Sequence, residues 1–445
     1  MRPSRAVGRA TDSGGFRLKT ALARVDDRSD MPARPLRRLL AAIACSIPLL
    51  LPQAAWAAGA RDAGDVGSGP PAWVAPSTPA MLAARSVRWS DVGAGFWARS
   101  AIDYVAGARG WMRDFHRSDA RGRYAFKPEA LERRRLFARS LVKAFAPDAA
   151  PDAGIAFSDL APGDRFYPFA NVAVENGWMR TDGDRFRPND PVLMRDVHRA
   201  LVLALGLREL AAGADRLHLR DGTPLTTPPD FGTLLIGMRL GLRYNHGDES
   251  LDVGPDDALP RSEVAWSLYR AATAPSWVID SLAPYADITL PNLSRRMRRV
   301  VEFGVRYVGD PYIWGGDWAS ATPSGYCCGY QPRGGFDCSG LAWWVLRRQG
   351  AGWDNTPPRP YAGWDLPQRS SAQMAAIGNI GWSRIRPGDA LFYDGDSDGT
   401  VDHVDTYLGA GWALDSGSSN GGVTITRVAN GWYEDHFVHA RRIVG

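Results

Sequence analysis

Cys338 lies in the run Gly334-Gly335-Phe336-Asp337-Cys338-Ser339-Gly340-Leu341. The residues after it, 342–349, are apolar on one face, and Gly350 is placed to end a helix. This pattern puts Cys338 on the first turn of a helix. A free thiol has a pKa of about 8.5. The positive end of a helix and a nearby imidazolium both favour its thiolate. The chemistry such a group offers is attack on a carbonyl carbon to give a thioester. His403 supplies a base. Asp389 to Tyr393 reads as a strand, and His403-Val404-Asp405-Thr406-Tyr407-Leu408-Gly409 begins another. A histidine on a strand facing the cysteine helix can take the thiol proton and later give it to a leaving amine. Of the seven histidines, only His436 and His439 share so strand-like a context. Asp415 falls on the next expected strand, Trp412 to Ser416, where its carboxylate can accept the histidine Nδ1–H and hold the ring. Asp405, two residues from His403, points to the same face of its strand and competes for that role.

A second constellation runs into His403. Asp394-Gly395-Asp396-Ser397-Asp398-Gly399-Thr400-Val401-Asp402 has the spacing of a calcium-binding loop, with Asp405 at the closing position. The flanks read as strands rather than helices, so a solvated acidic hairpin turn is the alternative. Calcium is thus a possible ligand and no cofactor is required. Asp405 cannot easily serve both the ion and the histidine.

The elements around these residues divide the chain of 445. Residues 1–57 carry ten Lys or Arg against four Asp or Glu, leaving 43 and 44 for the remainder. The formal net charge of +5 therefore resides in the leader and does not argue for nucleic acid. Met31, Arg34, Arg37 and Arg38, the apolar run Leu39 to Leu51 and Ala55-Trp56-Ala57 read as an export signal with its cleavage site, the true start being Met31. The run is shorter than the ~20 residues of a membrane span. Cys45 goes with the signal, which leaves Cys327, Cys328 and Cys338, an odd number that suggests a reactive thiol. Residues 58–86, rich in Ala, Gly, Pro and Ser, read as a linker.

A weak repeat fills 87–277. Its middle copy holds Phe157-Ser158-Asp159-Leu160, a helical stretch from Ala170 to Trp178, Phe186-Arg187-Pro188, and an apolar-periodic stretch from Arg195 to about Leu207. The first copy has Trp89-Ser90-Asp91-Val92, Phe126-Lys127-Pro128 and a helix from Arg134 to Phe145, with an insertion from Gly110 to Arg123. The third keeps Leu240-Gly241-Leu242, Val253-Gly254-Pro255 and Arg261-Ser262-Glu263-Val264-Ala265. Each copy is a helix–loop–helix unit that buries one face against its neighbours. Residues 278–293 read as a linker to a domain at 294–445.

Two resemblances follow. The copies resemble S-layer homology repeats, which implies an all-helical, three-lobed module holding a secondary cell-wall polymer, with Arg134, Arg195 and Arg261 at the polymer-contacting positions. The C-terminal domain resembles the NlpC-type cell-wall cysteine peptidases, a papain-like family, through Pro311-Tyr312-Ile313-Trp314-Gly315-Gly316, Phe336-Asp337-Cys338-Ser339-Gly340, Arg386-Pro387-Gly388-Asp389, and His403-Val404 with Tyr407-Leu408-Gly409. That resemblance implies an α+β fold, an antiparallel sheet packed on the nucleophile helix. It also implies hydrolysis of a peptidoglycan stem-peptide amide, usually between D-glutamate and a diamino acid. Tyr312 matches a tyrosine that helps the oxyanion, and Asp337 and Ser339 match substrate-contacting positions. Asp415 stands where His, Asn or Gln is usual, and Asp405 where Gly is usual. The insertion between Gly316 and Gly334 holds Cys327-Cys328, whose adjacent Cα atoms, ~3.8 Å apart, are too close for an unstrained disulfide. The expectation is a secreted, wall-associated endopeptidase. A catalytically inactive wall-binding protein, or an amidase or acyltransferase using the same cysteine, are its rivals.

Overall fold

Three loops of the repeat region close on one another in a ring. In the computed structural model, which describes residues 87–318, 322–325, 329–331, 334–346, 366 and 368–444, the helices of this region are α1 (Arg99–Ile102), α2 (Arg134–Phe145), α3 (Tyr167–Glu175), α4 (Met194–Ala204), α5 (Arg208–Asp215), α6 (Phe231–Arg239) and α7 (Arg261–Thr273). Just ahead of α2, α4 and α7, the backbone N–H of Glu132 donates to Leu259 O (2.9 Å), that of Leu259 to Val192 O (2.9 Å), and that of Val192 to Glu132 O (3.0 Å). Each copy thus satisfies the next, and the third returns to the first. The recurring Ser-Asp pairs have a matching cause. Asp91 accepts from the N–H groups of Phe126 and Lys127, and Asp159 from those of Phe186 and Arg187. These bonds hold the turns that lead into the second helix of the first two copies. The helix expected over Ala170 to Trp178 forms over Tyr167–Glu175, and the one expected from Arg195 to Leu207 over Met194–Ala204.

The three arginines are used at this ring. Arg134 Nε donates to Phe186 O and Arg261 Nε to Phe126 O, both at 2.9 Å, each joining one copy to another. Arg195 Nε lies 2.8 Å from Asp256 Oδ1. Arg261 corrects the polymer-contact expectation: it is 4% exposed, and its guanidinium is taken by Glu132 (2.8 Å) and Asp114. Asp114 belongs to the insertion and also pairs with Arg139 at 2.6 Å. The inserted segment therefore neutralises an arginine that would otherwise be a partly paired cation.

Residues 278–293 are packed rather than free. They include the end of α8 (Ser276–Asp280), and Thr289–Leu290 pairs in parallel with His218–Leu219. Val278, Leu282, Tyr285, Ile288 and Leu290 are buried. The chain then enters α9 (Arg295–Gly304), capped by Ser294 Oγ accepting from the Met297 N–H at 3.2 Å.

The C-terminal region is built on an antiparallel sheet of five strands: β1 (Asp389–Tyr393), β2 (His403–Gly409), β3 (Trp412–Gly417), β4 (Gly422–Arg427) and β5 (Phe437–Arg442), in the order β4-β3-β2-β1-β5. The Arg386-Pro387-Gly388-Asp389 turn is fixed by Asp389, which accepts from the Arg386 N–H (2.8 Å) and pairs with Arg442 (2.9 Å). Helix α10 (Cys338–Leu346) lies against β2 and β3 and is buried on every side, as its apolar sequence requires. Gly340 permits this: a Cβ there would stand 1.9 Å from Gly316 O. The short helices α11 (Ser371–Ala375) and α12 (Trp432–Asp435) complete the region.

Among the described residues no helix is long and apolar enough to cross a membrane. The leader at 1–57 with Cys45, the linker at 58–86 and the Cys327-Cys328 pair lie outside the described residues.

Candidate active site

Asp337 is the N-cap of α10. Its Oδ1 accepts from the Gly340 N–H, so the helix begins at Cys338 as the sequence pattern requires. Cys338 is buried and a free thiol. Its Sγ donates to the Asp402 carbonyl at 3.8 Å, and the thiol lies near enough to His403 to favour the imidazolium. His403 opens β2 and is fully buried.

The structure brings both candidate carboxylates to this ring. Nε2 of His403 is 3.1 Å from Asp415 Oδ1 and 3.2 Å from Asp405 Oδ1. The sequence reasoning had the carboxylate on Nδ1. With Nε2 turned to the carboxylates, Nδ1 is the nitrogen left for the thiol. The cause is the register. Thr406 pairs with Leu414 across β2 and β3, so one step along the antiparallel ladder sets Asp405 opposite Asp415. Two buried carboxylates so placed cannot both ionise cheaply. Burial, then the charge of Asp415, push Asp405 up to about 7. Asp415 is held below the usual carboxylate range against its burial by hydrogen bonds from His403, Asp405 and Tyr433 and by the histidine charge. Below about pH 7 Asp415 therefore carries the charge and Asp405 the proton. Tyr433 Oη and Asn420 Nδ2 donate to Asp415 Oδ2 at 3.0 and 2.8 Å. Burial opposes the imidazolium, but Asp405 and the hydrogen bonds of Asp405, Asp415 and Cys338 hold His403 well above the ordinary histidine value. The arrangement suits a thiol beside an imidazole that is clamped from behind.

Tyr312 is buried, its backbone N–H bonded to Gly421 O at 3.2 Å. Asp337 and Ser339 are 9% and 5% exposed and share a partner that sequence reasoning missed. Arg369 donates to Asp337 Oδ1 (3.1 Å), Ser339 Oγ (2.7 Å), Asp317 Oδ2 (3.2 Å) and Gly316 O (3.0 Å). It fastens the loop at Gly316 to the start of α10. The available signal was its place just before Ser370-Ser371-Ala372-Gln373, whose Ser370 and Gln373 form a capping box. Asn420 and Tyr433 were also missed. Asn420 precedes Gly421-Gly422 and reads as a hairpin turn.

The acidic loop comes together only in part. Carboxylate oxygens of Asp394, Asp396 and Asp398 lie within 4.8 Å of one another. Asp402 is turned to the Gly395 N–H (3.1 Å), and Asp405 is committed to His403. The five-carboxylate calcium set therefore does not assemble. The reason is that β2 begins at His403 and carries Asp405 into the sheet.

Residues 309–442 match the model of the NlpC/P60 family. The bifunctional muramidase/DL-endopeptidase CwlT of Bacillus subtilis (strain 168) is 30% identical over 145 residues, 32% of this chain and 36% of that protein. The murein DD-endopeptidase MepH of Escherichia coli (strain K12) is 29% identical over 142 residues, 32% of this chain and 43% of that protein. The peptidoglycan endopeptidase RipB of Mycobacterium tuberculosis (strain CDC 1551 / Oshkosh) is 33% identical over 135 residues, 29% of this chain and 49% of that protein. The chain thus spans less than half the length of each of these relatives. The C-terminal part of the chain, residues 309–442, is an NlpC/P60 domain.

Proposed function

We propose that this protein is an exported peptidoglycan hydrolase, a cysteine endopeptidase that cuts an amide of the stem peptide. The observation that carries the reading is the buried line from Cys338 through His403 to Asp415. Cys338 Sγ attacks the amide carbonyl carbon while its proton passes to Nδ1 of His403. The amine leaves with that proton, and water then hydrolyses the thioester with the histidine as base. Asp415 holds the ring and offsets its charge; Tyr312 and the Cys338 backbone N–H receive the oxyanion. Asp337 and Ser339, held by Arg369, shape the end of the cleft where the substrate amine binds. The bond we assign is D-glutamyl–diamino acid. The name DL-endopeptidase of one relative supports this, whereas another is a DD-endopeptidase, so the bond has to be measured. The ring of three helical copies, the Arg134 and Arg195 positions included, fits an S-layer homology-like anchor for a secondary wall polymer.

Mass spectrometry of purified peptidoglycan treated with the protein, beside C338A, tests this. New stem-peptide fragments from the unmodified protein alone establish the peptidase and identify the bond. No fragments from either, with and without reductant, sink it.

A further inference from the structure

The turn between β3 and β4, residues Ser418–Asn420 with Gly421, touches three things at once. Inside the peptidase, Asn420 Nδ2 donates to Asp415 Oδ2 at 2.8 Å, and Gly421 O accepts the Tyr312 N–H at 3.2 Å. On the other side, two arginines of the helical region hold it. Arg239, the last residue of α6, donates from Nη1 to Asn420 Oδ1 at 2.8 Å. Arg243 is buried and donates to Gly421 O, while its other nitrogens are fixed by Val253 O (2.9 Å) and Asp252 Oδ1 (2.6 Å). The chemistry of Arg239 matters here. A guanidinium only donates, so it selects the carboxamide orientation of Asn420 with oxygen outward and NH2 toward Asp415. Reversed, the amide would set an oxygen against a charged carboxylate. The order along the line is Arg239, Asn420, Asp415, His403, Cys338.

We propose that Arg239 is a positioning residue for the catalytic centre, so that the helical region completes the active site in addition to any role on the wall. This rests on the peptidase reading of Cys338, His403 and Asp415. The same turn also holds the Tyr312 backbone, so loss of the clamp loosens both the group behind the histidine and the loop that bears Tyr312. Positional errors of about 1 Å at such groups cost on the order of 100-fold in rate.

The test compares full-length R239M, R239K, N420A and R239M/N420A with the unmodified chain. Two readouts are used: kcat and KM on soluble muropeptides, and the pH profile of iodoacetamide reaction at Cys338, followed on its own peptide by mass spectrometry. Melting temperatures report the fold. The expected result is a kcat lowered about 10- to 100-fold in R239M with KM within about twofold, and a displaced alkylation profile. R239K, which keeps a donor, recovers part of the loss. N420A reproduces the loss, and R239M adds nothing to N420A. Unchanged kcat and alkylation in R239M overturn the proposal. So do losses from R239M and N420A that multiply in the double variant, or a loss of kcat that tracks the melting temperature and is not eased by R239K. If the unmodified chain cuts no muropeptide, the peptidase reading fails, yet the alkylation profiles still decide whether Arg239 acts on the thiol–imidazole pair.

Discussion

Two carboxylates meet the same nitrogen of His403, and their protonation separates their roles. The perturbations are D405N and D415N. Asp405 is pushed up to about 7, first by burial and then by the Asp415 charge. Below that pH it is a neutral acid, which the amide of D405N matches in shape and charge. At pH 6 the variant should keep kcat/KM within about threefold of the unmodified enzyme. Above pH 7 Asp405 ionises 3.2 Å from Nε2 and helps the imidazolium keep its proton. A hydrogen bond to a charged group contributes about 1.5–3 kcal/mol, equal to roughly one to two pKa units. The sign is fixed: removing this carboxylate lowers the histidine pKa, so the alkaline limb of kcat/KM moves to lower pH by that amount. At pH 8 D405N should then fall by about tenfold or more. Asp415 is ionised at both pH values, so D415N should lose about 100-fold or more at pH 6 and pH 8 alike. Stopped assays on a defined muropeptide from pH 5 to 9 decide it. A D405N loss equal at pH 6 and pH 8, or a D415N variant of normal activity, would refute the assignment of charge to Asp415 and proton to Asp405.

Three further variants test the packing that places these groups. G340A puts a Cβ 1.9 Å from Gly316 O; overpacking of this kind costs about 1–3 kcal/mol or more, and a melting curve should show the loss while an alanine at exposed Gly381 leaves it unchanged. R369M leaves Asp317 and Asp337 without their shared guanidinium. Breaking a buried pair costs about 3–5 kcal/mol, so urea denaturation should shift to much lower midpoint. R261M removes the partner of Glu132 and Asp114 at the repeat ring; burial already pushes Glu132 up to about 8 and Asp114 keeps Arg139, so the loss should be smaller, about 1–3 kcal/mol. Any loss of wall-polymer binding in R261M should follow that unfolding; normal stability with lost binding would restore the arginine to a contact role.

Much of the site was legible because its parts are local. The α10 start follows from the apolar run after Cys338, and β1, β2 and β3 follow from the strand patterns and the turns between them. That both carboxylates reach the histidine was not legible, because it depends on the β2–β3 register. That register sets Asp405 across from Asp415, a pairing that no single strand reveals. Arg369 was missed for a related reason: its partners Asp317, Asp337 and Ser339 are distant in sequence, and only the fold collects them. The calcium loop read well as a spacing and failed as a set, since spacing says nothing about which carboxylates a strand carries into the sheet.

Residues 278–293 join the two regions as a packed segment, and the packing has a consequence. A free linker would let the helical region and the peptidase move independently. Instead the segment pairs with His218–Leu219, and Tyr285 packs edge-on against Trp412 at 5.1 Å. Trp412 begins β3, the strand that carries Asp415. Glu249 of the helical region accepts the Trp314 N–H at 2.7 Å, next to the tyrosine loop. The contacts therefore fall on β3, on the β3–β4 turn and beside the Tyr312 loop, the elements that carry Asp415, Asn420 and Tyr312. A flexible tether needs none of them. Their placement argues that the helical region bears on the geometry around Asp415 and Tyr312, as the Arg239 variants test.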